Sequence, residues 1–516
     1  MADRWSRGGH HKAGDRPNKR GRGHASWQAP GAKRAEPGGA GGPGDASSAN
    51  TGGVLSITVR SFAGGVLLGP EAFPRASRVA QLKARLRAQR PGAGVKLFCD
   101  TRELADDDIL AAAVQGAEEA LELSAVLTKT FSVVAWGEAA YGGRVPPEAE
   151  SGVLKLFSST GAFAVIKEGG SVTAWGHPAY GGDVGRSEGL LSSGVETICA
   201  GKNAFVALKK DGTIVVWGNA RFGGRINDAT LRRIQGHVVS VKVSGEAFAA
   251  LTKSGMVVTW GSDVFGGDSR AVSHALASGV VSLFSTKGAF AALKEDGEVT
   301  TWGHPENGGD SSMVAAQLAS GVKTIFSNTT AFAALTRSGA VVAWGNTRCG
   351  GYMGDAAAQL TGQVVTVFSS GAAFSAVKED GSVVTWGMPG EPSVAAEHLA
   401  RGGRCARSTG NAAALVLDGG RVEARGDDRS GGDCSHVRSR LASGVASIEN
   451  TAGAFAAMKD DGSVVAWGRP QLGGDSSAVD GQLSAGVIAL CGTQSAFAAL
   501  KDVNARPASD APQVSC

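Results

Sequence analysis

Gly462-Ser463-Val464-Val465-Ala466-Trp467-Gly468 is the stretch on which the fold turns, because the chain writes it repeatedly. Trp-Gly pairs stand at Trp136, Trp175, Trp217, Trp260, Trp302, Trp344, Trp386 and Trp467, and the steps between the first seven are 39, 42, 43, 42, 42 and 42 residues. The last step, 81, holds two units, with Arg425-Gly426 standing where a Trp-Gly belongs. A fixed period of this length marks a repeat architecture, in which each unit buries its apolar faces against its neighbours.

One unit reads from a clean copy. Gly321-Val322-Lys323-Thr324-Ile325-Phe326 is strand-like, a polar turn leads to Ala331-Phe332-Ala333-Ala334-Leu335, and Thr336-Arg337-Ser338-Gly339 turns the chain into Ala340-Val341-Val342-Ala343-Trp344-Gly345. Elsewhere the second turn is Asp296-Gly297, Asp380-Gly381 or Asp461-Gly462. Asp-Gly between apolar runs is a strong hairpin signal, because both residues tolerate positive φ. After Trp-Gly comes a loop ending in Gly-Gly (Gly181-Gly182, Gly266-Gly267, Gly308-Gly309, Gly473-Gly474), then one or two helical turns such as 475–483. The expected unit is therefore a three-stranded sheet that cannot stand alone. Its Ala-rich second strand, with Phe163, Phe205, Phe248, Phe290, Phe332, Phe374, Phe455 or Phe497, is expected to line a crowded inner ring, with the Phe and Trp rows filling the gaps between sheets. The array begins in mid-unit at Ser132-Val133-Val134-Ala135-Trp136 and finishes at Ala496-Phe497-Ala498-Ala499-Leu500 without a third strand. Each extremity holds what the other lacks, so the two are expected to share one sheet, shut a ring and leave no bare edge.

These repeats resemble the regulator-of-chromosome-condensation propeller family in its shorter-repeat branch, through the Gly-x-Val-x-x-Ile strand, the Ala-Phe-Ala-Ala-Leu strand and the Asp-Gly turn before Val-Trp-Gly. The resemblance implies a β-propeller over 129–503 and binding rather than catalysis. It departs from the family in two places: nine third strands are counted, beyond the usual four to eight blades, and 390–433 lacks the Trp and reads Asn411-Ala412-Ala413-Ala414-Leu415 in place of the Phe strand.

Residues 54–128 have another character. Ser56-Ile57-Thr58-Val59-Arg60 alternates as a half-buried strand does, Ala63-Gly64-Gly65 signals a hairpin, and Val66-Leu67-Leu68 starts the return. Ser77 is expected to cap a helix with Val79, Leu82 and Leu86 inward and Lys83, Arg85 and Arg87 in water. Val95–Cys99 and Leu121–Val126 read as further strands. Hairpin, helix, strand, connection, strand resembles ubiquitin and its relatives, which implies a β-grasp domain. In that family an apolar residue on the third strand anchors partners. Phe98 stands at the matching position, Ser124 replaces a second patch residue, and no free Gly-Gly tail follows, so conjugation is not expected.

Residues 1–53 carry nine Lys/Arg against four Asp/Glu and almost no aliphatic side chains. Such a segment cannot offset the entropy of ordering and is expected to be disordered, as is 504–516. It fits a solvated tail, or, through Arg7, Lys12, Lys19, Arg20 and Arg22, loose phosphate contact with nucleic acid. An organelle transit peptide is a third reading, without the amphipathic pattern that would support it.

The whole chain has 516 residues and a net charge of only +4, with 77 Gly and 19% charged residues, as suits a turn-rich β protein. No apolar run is long enough to cross a membrane, and Met1-Ala2-Asp3-Arg4-Trp5 opens no apolar signal core. Seven unpatterned cysteines read as reduced thiols of a cytoplasmic or nuclear protein. No phosphate loop, zinc helix or nucleophile elbow occurs. Neither catalysis nor a cofactor is therefore expected. His177 and His304, at one repeat position, read as turn residues rather than a metal pair. What remains is a surface. Tyr141, Tyr180, Phe222 and Phe265, each just before Gly-Gly, could form a sticky rim for a protein partner or tuck under their own loops. The expected function is a non-catalytic protein-binding scaffold or adaptor. The alternatives are a regulatory part in ubiquitin ligation or guanine-nucleotide exchange, or RNA or chromatin association through the tail.

Overall fold

A computed structural model of the chain describes residues 54–62, 65–90, 92–113, 120–369, 371–387, 405–409 and 411–505, all within one compact unit, Gly52–Cys516. The expectations for 1–53 and for the tail beyond 505 lie outside these residues.

The chain opens with β1 (Val54–Ser61), β2 (Val66–Pro74), α1 (Val79–Gln89), β3 (Ala93–Cys99), the short β4 (Arg102–Glu103) and β5 (Ala120–Lys129). They form one sheet in the order β2-β1-β5-β3-β4, with β1 parallel to β5. Alternation in β1 turns Leu55, Ile57 and Val59 onto Val79, Leu82 and Leu86 of α1. Two expectations for the helix need correction. Arg78, not Ser77, occupies the N-cap: its backbone N–H donates to Gln81, while the Ser77 N–H is bonded to Pro74. Lys83 does not face water; it is buried, and its ammonium donates to the Leu104 carbonyl at 3.2 Å and to Asp106 at 2.6 Å. The apolar stem of lysine allows this, provided the charged head reaches a partner.

Beyond β5 the described residues form nine three-stranded antiparallel sheets, numbered I to IX here from the sheet that begins at Val153. Sheet V is typical: Val322–Ser327, Ala331–Thr336 and Val341–Gly345 pair in chain order, with Phe332 opposite Trp344. The Ala-rich strand is thus the middle strand of its sheet and not an inner rim. It is crowded because neighbouring sheets cover both its faces. Phe332 and Ala334 pack on sheet IV, and Ala331, Ala333 and Leu335 pack on sheet VI. Sheet IX is assembled from both extremities: Val487–Gly492, Ala496–Lys501 and β6 (Ser132–Gly137) lie side by side, with Phe497 opposite Trp136.

The sequence motifs acquire causes at each sheet-to-sheet junction. The loop glycine Gly308 has φ +95°, and a Cβ there would stand 2.5 Å from the Phe332 ring of the next sheet. Its carbonyl accepts the Trp344 indole N–H at 3.1 Å. Gly309 presses so closely on Gly303 that a Cβ would meet the carbonyl oxygen at 2.3 Å. One glycine is needed for conformation and ring contact, the second for proximity. Eight such indole bonds join eight pairs of sheets, including IX to I (Trp175 to Gly142) and VIII to IX (Trp136 to Gly473).

The apolar packing between neighbouring sheets lapses at one place among the described residues. The buried apolar clusters link every consecutive pair of sheets except VI and VII among the described residues. Sheet VII (Cys405–Ser408, Ala412–Val416, Val422–Gly426) does form, with Ala413 opposite Arg425 where Phe faces Trp elsewhere.

The N-terminal sheet and its helix are clamped to the repeats. Arg87 pairs with Glu168 at 2.7 Å, and the Val95 N–H also donates to that largely buried carboxylate. Lys129 pairs with Asp502 at 2.7 Å, a contact that holds the Asp502 carboxyl below the usual range. Both anchors lie beside the junction of sheets IX and I.

Candidate interaction surface

Among the described residues, the loops that follow the Trp-Gly pairs run through a 3₁₀ turn whose last residue precedes a glycine pair. That residue's carbonyl is tied to the first hairpin of its own sheet: Ser159 Oγ donates to Tyr180 at 2.8 Å, Thr286 to Asn307 at 2.8 Å, Thr451 to Leu472 at 2.9 Å and Thr493 to Tyr141 at 3.1 Å. A hydroxyl at the end of the first strand is therefore a positioning device, recurrent in the sequence but unremarked in its reading.

These ties aim the four candidate aromatics, and they do not make one continuous rim. Tyr141 and Tyr180 meet, ring centroids 6.1 Å apart, and both are half-buried. His177 lies against both, 5.5 Å from Tyr141 and 5.2 Å from Tyr180. Gly161 leaves the space they occupy, since a Cβ there would lie 2.6 Å from the Tyr180 ring. His177 is the turn residue expected, its Nδ1 accepting the Ala179 N–H at 3.2 Å, but its place in this ring cluster was not read from the sequence. Its position, one repeat on from Glu138 and three residues before Tyr180, was the available signal. Phe265 sits apart, with the Lys202 ammonium 5.2 Å over its ring, and Phe222 is half-buried in its own turn. So Tyr141 and Tyr180 come together, while Phe222 and Phe265 remain separate.

Phe98, on β3, is half-buried and meets Phe62 edge-on at 5.6 Å; Phe62 is 66% exposed. Ser124 stands opposite Phe98 in the register of β3 and β5. Arg7, Lys12, Lys19, Arg20 and Arg22 lie outside the described residues.

A groove of about 630 Å³ opens along Thr347, Arg348, Tyr352, Asp355 and Trp386, beside the exposed Tyr352 ring. Among the described residues no three His, Cys, Asp or Glu side chains gather as a metal site. Burial pushes the Cys491 thiol up to about 11 and raises that of Cys199, so both stay protonated at neutral pH and are poor nucleophiles. Cys99, Cys199, Cys349, Cys434 and Cys491 are free thiols. Among the described residues no helix is long and apolar enough to cross a membrane.

No family model and no curated protein matches the chain. Solved structures do resemble it. Prp20p from Saccharomyces cerevisiae, described with its binding to Gsp1p and histones, is 14% identical with a TM-score of 0.33, over 72% of this chain and 91% of that one. Human WBSCR16 is 13% identical with a TM-score of 0.33, over 72% and 99%. The computationally designed Ika8 protein is 14% identical with a TM-score of 0.26, over 61% and 96%.

Proposed function

We propose that this chain is a non-catalytic protein-binding scaffold of intracellular setting. In this reading the nine sheets are the blades of a propeller ring, and the N-terminal domain is a β-grasp module of the ubiquitin kind. The shared sheet IX supports the ring, and the order β2-β1-β5-β3-β4 under one helix supports the module. The observation that carries the binding role is the Tyr141–His177–Tyr180 cluster, three rings on neighbouring loops held by hydroxyl-to-backbone ties. Preordered aromatics with polar tips lose little entropy on contact and dominate the centres of protein interfaces. The clamp through Glu168 and Asp502 ties the N-terminal sheet to the other end of these strands, since Glu168 and Asp502 follow Lys167 and Lys501 whereas the cluster's loops start opposite Ala162 and Ala496.

The test is affinity capture by the full chain against a Tyr141→Ala, Tyr180→Ala variant and a Phe62→Ala, Phe98→Ala variant, each shown by thermal unfolding to be folded. The expected result is a protein retained by the native chain and held at least about tenfold less by the first variant, the loss of two interface aromatics. Equal retention by all three would remove the aromatic surfaces from the account.

A further inference from the structure

We infer that the ring of sheets is split, and that its mechanical ends are sheets VI and VII, in mid-sequence, rather than the two extremities of the repeat region. The inference rests on the ring reading above.

Three parts recur at eight junctions: a Phe–Trp stack, a glycine that receives the Phe ring, and the indole bond to that glycine's carbonyl. At the ninth all three are replaced together. Sheet VII carries Ala413 and Arg425 at the Phe and Trp positions, and the sequence after Trp386 reads Gly387-Met388-Pro389-Gly390-Glu391-Pro392, without adjacent glycines. The losses are coupled, because a ring needs the glycine's space and the indole needs its carbonyl.

Both faces at this junction are built for water. On the sheet VII face toward VI, Glu423 stands where sheet V has the buried Val342. Glu423 pairs with Arg421 at 2.9 Å and with Arg425 at 3.4 Å, and all three side chains are solvent-accessible. Covering this face would strip charges of water with no new partner to compensate. On the sheet VI face toward VII, Val383 is 58% exposed, whereas its counterparts Val257, Val299, Val341 and Val464 are 6%, 8%, 5% and 1% exposed. Phe368 is exposed where Phe284 and Phe326 pack against the next sheet, and Ser375 and Thr385 bond to each other at 3.2 Å.

A repeat array is stabilised by each unit's own folding and by its interfaces with its neighbours, so it frays where a unit has only one neighbour. Sheets VI and VII each have one described apolar interface, whereas sheet IX, built from both extremities, has two. Opening the seam separates no apolar cluster among the described residues.

Native-state hydrogen exchange on the full chain tests this. Amides of Ala373–Lys378 and Ala412–Val416 are expected to exchange at least about 100-fold faster than those of Ala331–Thr336 and of Ala496–Lys501. Even protection around all nine sheets would overturn the split and leave the ring standing. Fastest exchange at Ala496–Lys501 would overturn the ring reading, and the split with it. As a second arm, Val383→Asp should move the urea midpoint by less than about 0.3 M and Val341→Asp by more than about 1 M. Equal losses would show the seam to be packed.

Discussion

Phe332→Ala is expected to destabilise the repeat array by about 3–5 kcal/mol. The ring is fully buried between sheets IV and V, stacked on Trp344 at 5.2 Å and seated on Gly308. Removing it leaves a cavity whose walls cannot collapse: the Gly308 loop is held by the Trp344 indole, and Ala289 and Ala291 of sheet IV are themselves main-chain crowded. The aromatic pair adds a further fraction of the loss beyond buried area. Urea unfolding followed by tryptophan fluorescence measures it. A change below about 1 kcal/mol would mean that the Phe row is not what joins the sheets.

Trp136→Arg is expected to be at least as costly, about 3–5 kcal/mol from the lost ring alone, with the penalty of a buried unpaired charge added. It places at sheet IX the residue that sheet VII carries at Arg425. Trp136 stacks on Phe497 at 5.3 Å and donates to Gly473 at 3.0 Å, so both contributions vanish at the sheet that unites the extremities. The difference from Arg425 is the neighbourhood: Arg425 has Glu423 beside it and open solvent, whereas Trp136 faces Val464, Leu483 and Val487. Thermal unfolding should show the midpoint falling together with loss of order in β6. A midpoint unchanged from the native chain would remove Trp136 from any part in closure.

Much of this was legible in the residues because the repeat averages over local accidents. Eight copies of Trp-Gly, a glycine pair after seven of them and complementary extremities led to sheets joined through Phe and Trp and to a composite ninth sheet. Other features turn on contacts between segments far apart in the chain. The Ala strand was misplaced because small residues announce crowding without saying from which side. Lys83 read as a solvent residue because its partners, Leu104 and Asp106, are 21 and 23 positions away. The Tyr141–His177–Tyr180 cluster needed the lateral offset between adjacent loops, which repeat spacing alone does not give. Arg425 was visible as a decayed copy, yet its consequence needed Val383 and Glu423 in three dimensions, where the missing Trp stands at a junction with no apolar cluster among the described residues.

The most direct test of the account is a cross-link between Ser132→Cys and Lys501→Cys, which face each other in the ladder of sheet IX although 369 residues separate them. Directly opposed strand residues lie about 4.5–5.5 Å apart at Cα, within disulfide reach. Mild oxidation of dilute full-length chain should give an intramolecular disulfide, seen as faster migration on a non-reducing gel, as readily as a Val445→Cys, Lys459→Cys pair within sheet VIII links. Rapid linkage of the sheet VIII pair with none between residues 132 and 501 would contradict the shared sheet.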